Sequence, residues 1–482
     1  MGILGKSKPK GAQGTTRLER IAVPVKNPTS STSSANLRVP SKHMPPSSRS
    51  SSIPKRPRPN SASPYPSSGD ETRLQRKRKA VANTPAQSPA FGSDSESEGE
   101  DGDPFMKRVR RDHSRSIDVM RKMRHKKAFG DTLRESHIIH AADIVSRASG
   151  CPPIAGAEDN EVAIEVQYPS RCARERYELV WQKDKIDAVK DILTVVEHVA
   201  ETYLPENEAR AFIDHNASFR RRMERASTEK YRDVPIFRSA LTSYNKKLLE
   251  LVESGIVTKS LDKIHHLPAS LVSFILTQVY DRTVAPKVDS LKKYANGGDN
   301  VYGELLHPFV TRILVEQTKM TSDQVFIDLG SGVGNVVLQA ALEIGCRSYG
   351  CEMMDNACNL AEAQEKEFKA RCLLWGVAPG RVHLERGDFR TNAKISEKLK
   401  EADVVLVNNK AFTSQLNDAL INMFLDLKKG CKIISLKSFV YENKTAINDV
   451  ATSILDVEEY RYHENWVSWT GADGDYFIST KK

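Results

Sequence analysis

"VFIDLGSGVGNVVLQAALEIG", residues 325–345, decides the fold. Val325–Leu329 is a short apolar run of strand type, and it leads into glycines at 330, 332 and 334. From Asn335 the apolar residues recur at helical spacing. A strand, a glycine turn and a helix in that order form the first unit of a nucleotide-binding α/β sheet. Glycine admits positive φ and lets a ligand approach the backbone closely.

The same alternation continues on the C-terminal side. Strands are expected at Ser348–Cys351, Val382–Glu385, Val404–Val407 and Lys432–Leu436, with helices from about Asp355 and over Ser414–Leu427. Two late strands, near Val457–His463 and Tyr476–Ser479, suggest an antiparallel hairpin at one sheet edge. Alternating units imply a mostly parallel sheet with helices on both faces. Residues 301–482 therefore read as one Rossmann-like domain. Residues 156–300 read as a mainly helical module. There Val189, Ile192, Leu193, Val196, Val199 and Tyr203 share one face of a helix over 187–204, and further helices are expected over 237–254 and 270–281. Order is expected to begin near Glu161.

Residues 1–155 are rich in Ser, Pro, Lys and Arg and poor in aromatics, the composition of a disordered tail. A basic run at 73–79, an acidic run at 93–103 and a longer basic run at 107–127 stand out. The last supplies Lys107, Arg108, Arg110, Arg111, Arg121, Lys122, Arg124, Lys126 and Lys127 as candidate contacts to a phosphate backbone. The 482 residues carry a net charge of +10 and only 39% hydrophobic side chains. This balance favours a polyanionic partner. No apolar run reaches the ~20 residues of a membrane helix. Residue 6 is Lys, where a myristoylation signal would carry Ser or Thr. The seven cysteines form no CxxC, so no metal site is expected, and a reducing intracellular compartment fits.

The ligand follows from the acids around the turn. The glycines read G-x-G-x-G, and the third glycine of the dinucleotide fingerprint would fall at Asn335. Asp328 ends the first strand, where a carboxylate would repel a pyrophosphate but suit an amino-acid ammonium. Glu352 ends the second strand, where an acid receives ribose hydroxyls. Asp388 and Phe389 follow the third strand, placed to flank an adenine. Together these point to S-adenosylmethionine rather than NAD. Asn408, at the end of the fourth strand, is placed to orient a nucleophilic amine by its carboxamide oxygen. Methyl transfer from a sulfonium is an in-line displacement, in which orientation carries much of the catalysis. No dedicated base is visible, so solvent is expected to take the amine proton.

Tyr302-Gly303-Glu304-Leu305, Asp328 to Asn335, Glu385 to Phe389, Val407-Asn408-Asn409 and Val467 to Gly471 occur in one order. In this the chain resembles the non-SET histone lysine methyltransferases named for disruption of telomeric silencing, in their fungal form. The resemblance covers roughly 161–482. It implies a class I methyltransferase, its seven-stranded sheet preceded by a helical part, that uses S-adenosylmethionine to methylate a lysine on the globular core of histone H3 in nucleosomes and so affects silencing. It implies that Tyr302, Gly303, Glu304 and Leu305 close over the cofactor. Phe326, Ile327, Asp328, Leu329, Gly330, Ser331, Gly332, Val333, Gly334, Asn335, Glu352, Asp388 and Phe389 would bind it. Asn408 would sit beside the methyl, and Tyr476 would line the lysine channel. Implied partners are the nucleosome, its DNA through the tail, ubiquitylated histone H2B and histone H4, for a monomer in the nucleus. One departure is Lys410, where the family usually carries an aromatic; it is expected to face solvent or a phosphate. Alternatives are a methyltransferase of bases or glutamine amides, which often carries prolines after the fourth strand, a silent chromatin scaffold, or an NAD dehydrogenase.

Overall fold

The computed structural model describes residues 118–130, 137–154, 157–158, 160–228, 230–293, 302–440 and 450–482. Among the described residues, nine strands alternate with helices. β1 (Ala163–Val166) and β2 (Glu175–Glu178) form a small antiparallel hairpin. β3 (Val325–Leu329), β4 (Arg347–Glu352), β5 (Val382–Arg386), β6 (Val404–Val407), β7 (Lys432–Ser435), β8 (Leu455–Tyr462) and β9 (Gly474–Lys481) form one sheet in the order 5-4-3-6-7-9-8. Strands β3 to β7 are parallel, and β9 and β8 run antiparallel at one edge. The strand order reverses at β3, so the C-terminal ends of β3 and β6 diverge and open a cleft.

All five residues of β3 are buried, as are all four of β6. That is the pattern of central strands covered on both faces. The main helices are α1 (Ala188–His198), α2 (Val234–Glu253), α3 (Ala269–Thr283), α4 (Asn335–Gln339), α5 (Asp355–Leu374) and α6 (Ser414–Met423). Asp187, Asp233 and Thr413 cap α1, α2 and α6 by accepting a backbone N–H three residues on. Pro268 stands just before α3, where its missing N–H has no intrahelical partner to lose. Short helices at Glu206–Ile213, Phe219–Ser227 and Ala393–Leu399 are additions to the sequence reading.

One sequence expectation needs correction. Order begins well before Glu161. Met123, Ala128, Ala141, Val145 and Cys151 are buried in the main core. The segment at 118–130 is bound as a strap: His125 N donates to Gly376 O, Ala378 N to Met123 O and Ser322 N to the Asp118 carboxylate. Lys107, Arg108, Arg110 and Arg111 lie outside the described residues. The mainly helical part before residue 300 and the sheet part after it share a core. One continuous hydrophobic cluster joins Ile192, Tyr203 and Leu276 of the helical part to Phe326, Leu338 and Trp375 of the sheet part.

A buried ionic cluster fastens the same seam. The Glu175 carboxylate on β2 accepts from Arg282 of α3 (3.0 Å) and from Arg371 of α5. Arg371 also binds Glu367, and Arg282 binds Asp191. Glu175, Arg282 and Arg371 are all buried, so their charges are satisfied within this cluster rather than by bulk water. Burial raises the Glu175 pKa, but the two guanidinium charges outweigh it and hold the carboxyl at about 2.

Candidate active site

Gly330, Gly332 and Gly334 all have positive φ, at 88°, 54° and 91°. A side chain at 332 would also meet the Tyr302 ring, 2.9 Å from a Cβ. The turn is pinned to β4, because Gly330 N and Ser331 N both donate to Cys351 O. This brings Glu352 under the turn. One Glu352 oxygen accepts from Gly332 N (3.0 Å) and the other from Met354 N (2.7 Å). Both oxygens are fixed and retain lone pairs for a ligand's hydroxyls.

Asp328 stands at the cleft floor, 4% exposed. Burial, reinforced by the nearby Glu352 charge, pushes its carboxyl up to about 8. A cationic ligand group would reverse that shift. Asp388 and Phe389 border the cleft from the β5 end. Asp388 arrives as an ion pair rather than as a free carboxylate: Arg390 binds both of its oxygens and holds its pKa low.

The roof is built from two distant loops. Leu305 bridges Val467, Leu306 N donates to Trp466 O, Ser468 N donates to Glu304 O, and Glu304 N donates to Ser468 Oγ. Gly303 lies against the Trp469 ring, so close that a Cβ would stand 2.6 Å from Cε3. The YGEL and VSWTG segments are thus two halves of one element. Beneath it the Glu304 carboxylate accepts from Tyr302 Oη (2.5 Å) and Tyr280 Oη (3.1 Å). Burial raises its pKa, opposed by these hydrogen bonds and one from Asn335.

Asn408 closes the far side. Its Nδ2 donates to Gly303 O (3.1 Å), which fixes the carboxamide and turns Oδ1 away from the roof carbonyl. The neighbouring Asn409 is fully buried and structural. Its Oδ1 accepts from Leu436 N and Lys437 N, and its Nδ2 donates to Asn417 Oδ1 and Lys437 O. Lys410 is exposed.

These groups enclose a cavity of about 310 Å³. Of the residues expected to hold the cofactor, Tyr302, Gly303, Glu304, Leu305, Asp328, Gly330, Ser331, Gly332, Val333, Asn335, Glu352, Asp388 and Phe389 line it, as does Asn408. Phe326, Ile327 and Leu329 do not; they are strand residues buried in the packing on either side of the sheet. Gly334 caps α4 against Leu384 instead. Met353, Phe412 and Leu416 add an apolar wall that the sequence reading lacked. Tyr476 is also corrected. It is fully buried on β9, where its hydroxyl donates to Gln317 Oε1 (2.6 Å) and its ring packs on Tyr460 and Phe309, away from the cavity. In the basic strap, Arg121 is buried with Nη2 donating to Leu342 O, and Arg124 pairs with Asp262, so neither is a free cation. Lys122, Lys126 and Lys127 are exposed.

The residues lining the cleft fit S-adenosylmethionine: Asp328 would receive the ammonium, the glycine cradle would allow close approach, Glu352 would take the ribose, and Phe389 with Met353 would flank the adenine. The sheet order and this site define a class I S-adenosylmethionine-dependent methyltransferase. Among the described residues, no cluster of His, Cys, Asp and Glu could hold a metal ion, and no helix is long and apolar enough to cross a membrane.

The model of the histone methylation protein DOT1 family matches residues 280–481. A Gibberella zeae protein named as an H3 lysine-79 specific histone-lysine N-methyltransferase is 60% identical over 432 residues, covering 88% of this chain and 87% of that one. Its namesake in Chaetomium globosum is 57% identical, over 78% of this chain and 73% of that one. The chain belongs to the DOT1 family.

Proposed function

We propose that this protein is a histone-lysine N-methyltransferase that methylates lysine 79 of histone H3 with S-adenosylmethionine. The relatives at 60% and 57% identity carry that specificity in their names. The observation that carries the chemistry is Asn408, tethered to the Gly303 carbonyl at the mouth of the cofactor cleft.

When bound, S-adenosylmethionine supplies an electrophilic methyl on a sulfonium. Asp328 holds the ammonium, Glu352 the ribose, and the Tyr302–Leu305 roof excludes water. Asn408 Nδ2 is occupied, so its Oδ1 is the acceptor that receives an N–H of the incoming amine and aims the nitrogen lone pair. The amine, with a pKa of about 10.4 in water, loses its proton before attack. The carboxyls of Glu304 and Asp328 are engaged with the roof and the cofactor, so the proton leaves through solvent.

The substrate in this reading is H3 within the nucleosome, and the protein acts in the nucleus on chromatin silencing. The exposed Lys122, Lys126 and Lys127, with the basic run that precedes them, would lie against DNA. Ubiquitylated H2B and H4 are further partners, and the enzyme acts as a monomer. The test offers radiolabelled S-adenosylmethionine with nucleosomes, free H3 or naked DNA, with Gly332→Arg as control. Label on H3 in nucleosomes, lost in the control, is expected. Label on DNA would replace this reading with a base methyltransferase, and no label despite cofactor binding would replace it with a scaffold.

A further inference from the structure

The folded core carries a second concentration of positive charge, remote in sequence from the basic strap. Residues 219–232 read FRRRMERASTEKYR and hold six cations against two carboxylates, Glu224 and Glu229. In the helix Phe219–Ser227, Met223 and Ala226 are the buried face. Arg220 and Arg221 neutralise Glu224. Arg222, Arg225, Lys230 and Arg232 are exposed, and among the described residues none of them meets a carboxylate. Four cations with no carboxylate partner among the described residues, gathered on one turn and helix, repel one another, so folding alone gains nothing from gathering them.

Two further features point outward from the same place. Tyr231 is 52% exposed, with the Arg225 guanidinium 5.9 Å and the Lys230 ammonium 5.3 Å from its ring centre. Arg232 follows it with φ of +42°, a left-handed conformation that a non-glycine residue adopts at an energetic penalty. The turn is tight, with Tyr231 N and Arg232 N both donating to Thr228 O, and it presents Tyr231 and Arg232 side by side. Backbone strain that displays a charged side chain beside an exposed ring is a mark of a binding surface.

We propose that Arg222, Arg225, Lys230, Tyr231 and Arg232 form a second nucleic-acid contact, which grips the phosphate backbone of duplex DNA without reading sequence. Guanidinium forks match phosphate oxygens in a bidentate way, and three of the four free cations are arginines. The Tyr231 ring, held between cations, lies against the sugar edge of the same strand. Such a surface fixes the protein's register on DNA and leaves base recognition aside. It would make this chain bind DNA at two separate points, the strap with its preceding basic run and this turn. The inference concerns DNA binding alone and stands whichever substrate is methylated.

The test uses the full chain and a random-sequence duplex, with affinity followed by fluorescence anisotropy over a range of salt. For Arg222→Ala/Arg225→Ala/Lys230→Ala/Arg232→Ala, the slope of log K against log salt should flatten by about 3 to 4, since each phosphate contact contributes roughly 0.9. Cofactor affinity and Tm should be unchanged, because these side chains are on the surface. Tyr231→Ala should weaken binding several-fold with the slope intact, and Tyr231→Phe should behave as the parent. Arg222→Glu/Arg225→Glu gives a second reading with a larger loss. An unchanged slope in both cation variants would overturn the proposal. So would unchanged DNA affinity joined to lost binding of an acidic peptide such as polyglutamate, which would assign the surface to a protein partner instead.

Discussion

Asp328 shows how one side chain converts burial into a ligand test. In the free protein its carboxyl is held up to about 8, so at pH 7 it is mainly protonated. Binding an ammonium requires the carboxylate, and one proton is released. Below pH 8 the apparent affinity for S-adenosylmethionine should therefore rise up to about tenfold per pH unit, because one proton is linked to binding. Above it the ligand's own α-amino group, with a pKa of about 7.7–8.0 in water, loses its charge and affinity falls again. Calorimetry in buffers of different ionisation enthalpy should show about one proton released near pH 7. Asp328→Asn should bind weakly and lose the rising limb. A flat profile for the parent would remove Asp328 from the ammonium site.

Asn408 makes a second prediction at this scale. Asn408→Asp keeps the shape but sets a carboxylate oxygen against the Gly303 carbonyl that now accepts a hydrogen bond. Methyl transfer should fall by about 10²-fold or more, the effect of removing one oriented polar group from a reacting centre. Cofactor affinity, read separately by calorimetry, should change little. Equal losses in both would assign Asn408 to cofactor binding alone. The residue scale is also where sequence reading was least complete. Asp328 and Glu352 were legible because their place in a strand–turn–strand unit fixes where they point. Tyr476 was misplaced because period-2 alternation names a face of β9 but not what covers it.

At the scale of elements, the two-loop roof explains why YGEL and VSWTG occur together. Gly303 has no room for a methyl group beside Trp469. Gly303→Ala should lift the roof and raise the cofactor Kd by about tenfold, in line with the 1–3 kcal/mol typical of overpacking. In a Trp469→Leu background the same change should cost at least about 1 kcal/mol less, since the two side chains compete for one space and couple. Additive effects would show that the contact does not govern the roof. β2, with the alternation of only four residues, was missed in the sequence. The strands of the main sheet and the long helices were legible to within a few residues, because β6 is an uninterrupted apolar run, β3 is broken only by Asp328, and the long helices carry 3.6 periodicity. The helices Glu206–Ile213 and Phe219–Ser227 were not. Their buried faces have only two residues each, too few for periodicity to register.

Across the whole molecule, the Glu175 cluster decides whether the helical part and the sheet part are one body. Glu175→Gln would leave Arg282 and Arg371 facing each other in the core with only Asp191 and Glu367 to offset them. Destabilisation of about 3–5 kcal/mol is expected, as for a buried pair broken on one side. A single thermal transition moved to lower temperature would confirm one cooperative unit. Two separated transitions would show that the parts unfold independently. The acid dependence has a fixed sign. With a folded pKa of about 2 against 4.5 unfolded, the contribution of Glu175 is present above pH 4.5 and lost progressively as pH falls towards 2.

The amino-acid sequence alone determined the chain of parallel strands, the glycine cradle with its acids, the cofactor and the family. The family rests on the resemblance of its motifs; the rest rests on local spacing, because residues a few positions apart on a strand or turn have fixed relative directions. Tertiary structure decided what local spacing cannot carry. It showed that residues 118–130 and 137–154 belong to the folded body, that the roof joins segments 164 residues apart, that Arg121 is buried and that Arg124 pairs with Asp262. Each of those outcomes depends on which distant surface a side chain meets. A strap residue written as a tail cation becomes a core residue only because the groove beside Gly345 and Gly376 is there to receive it.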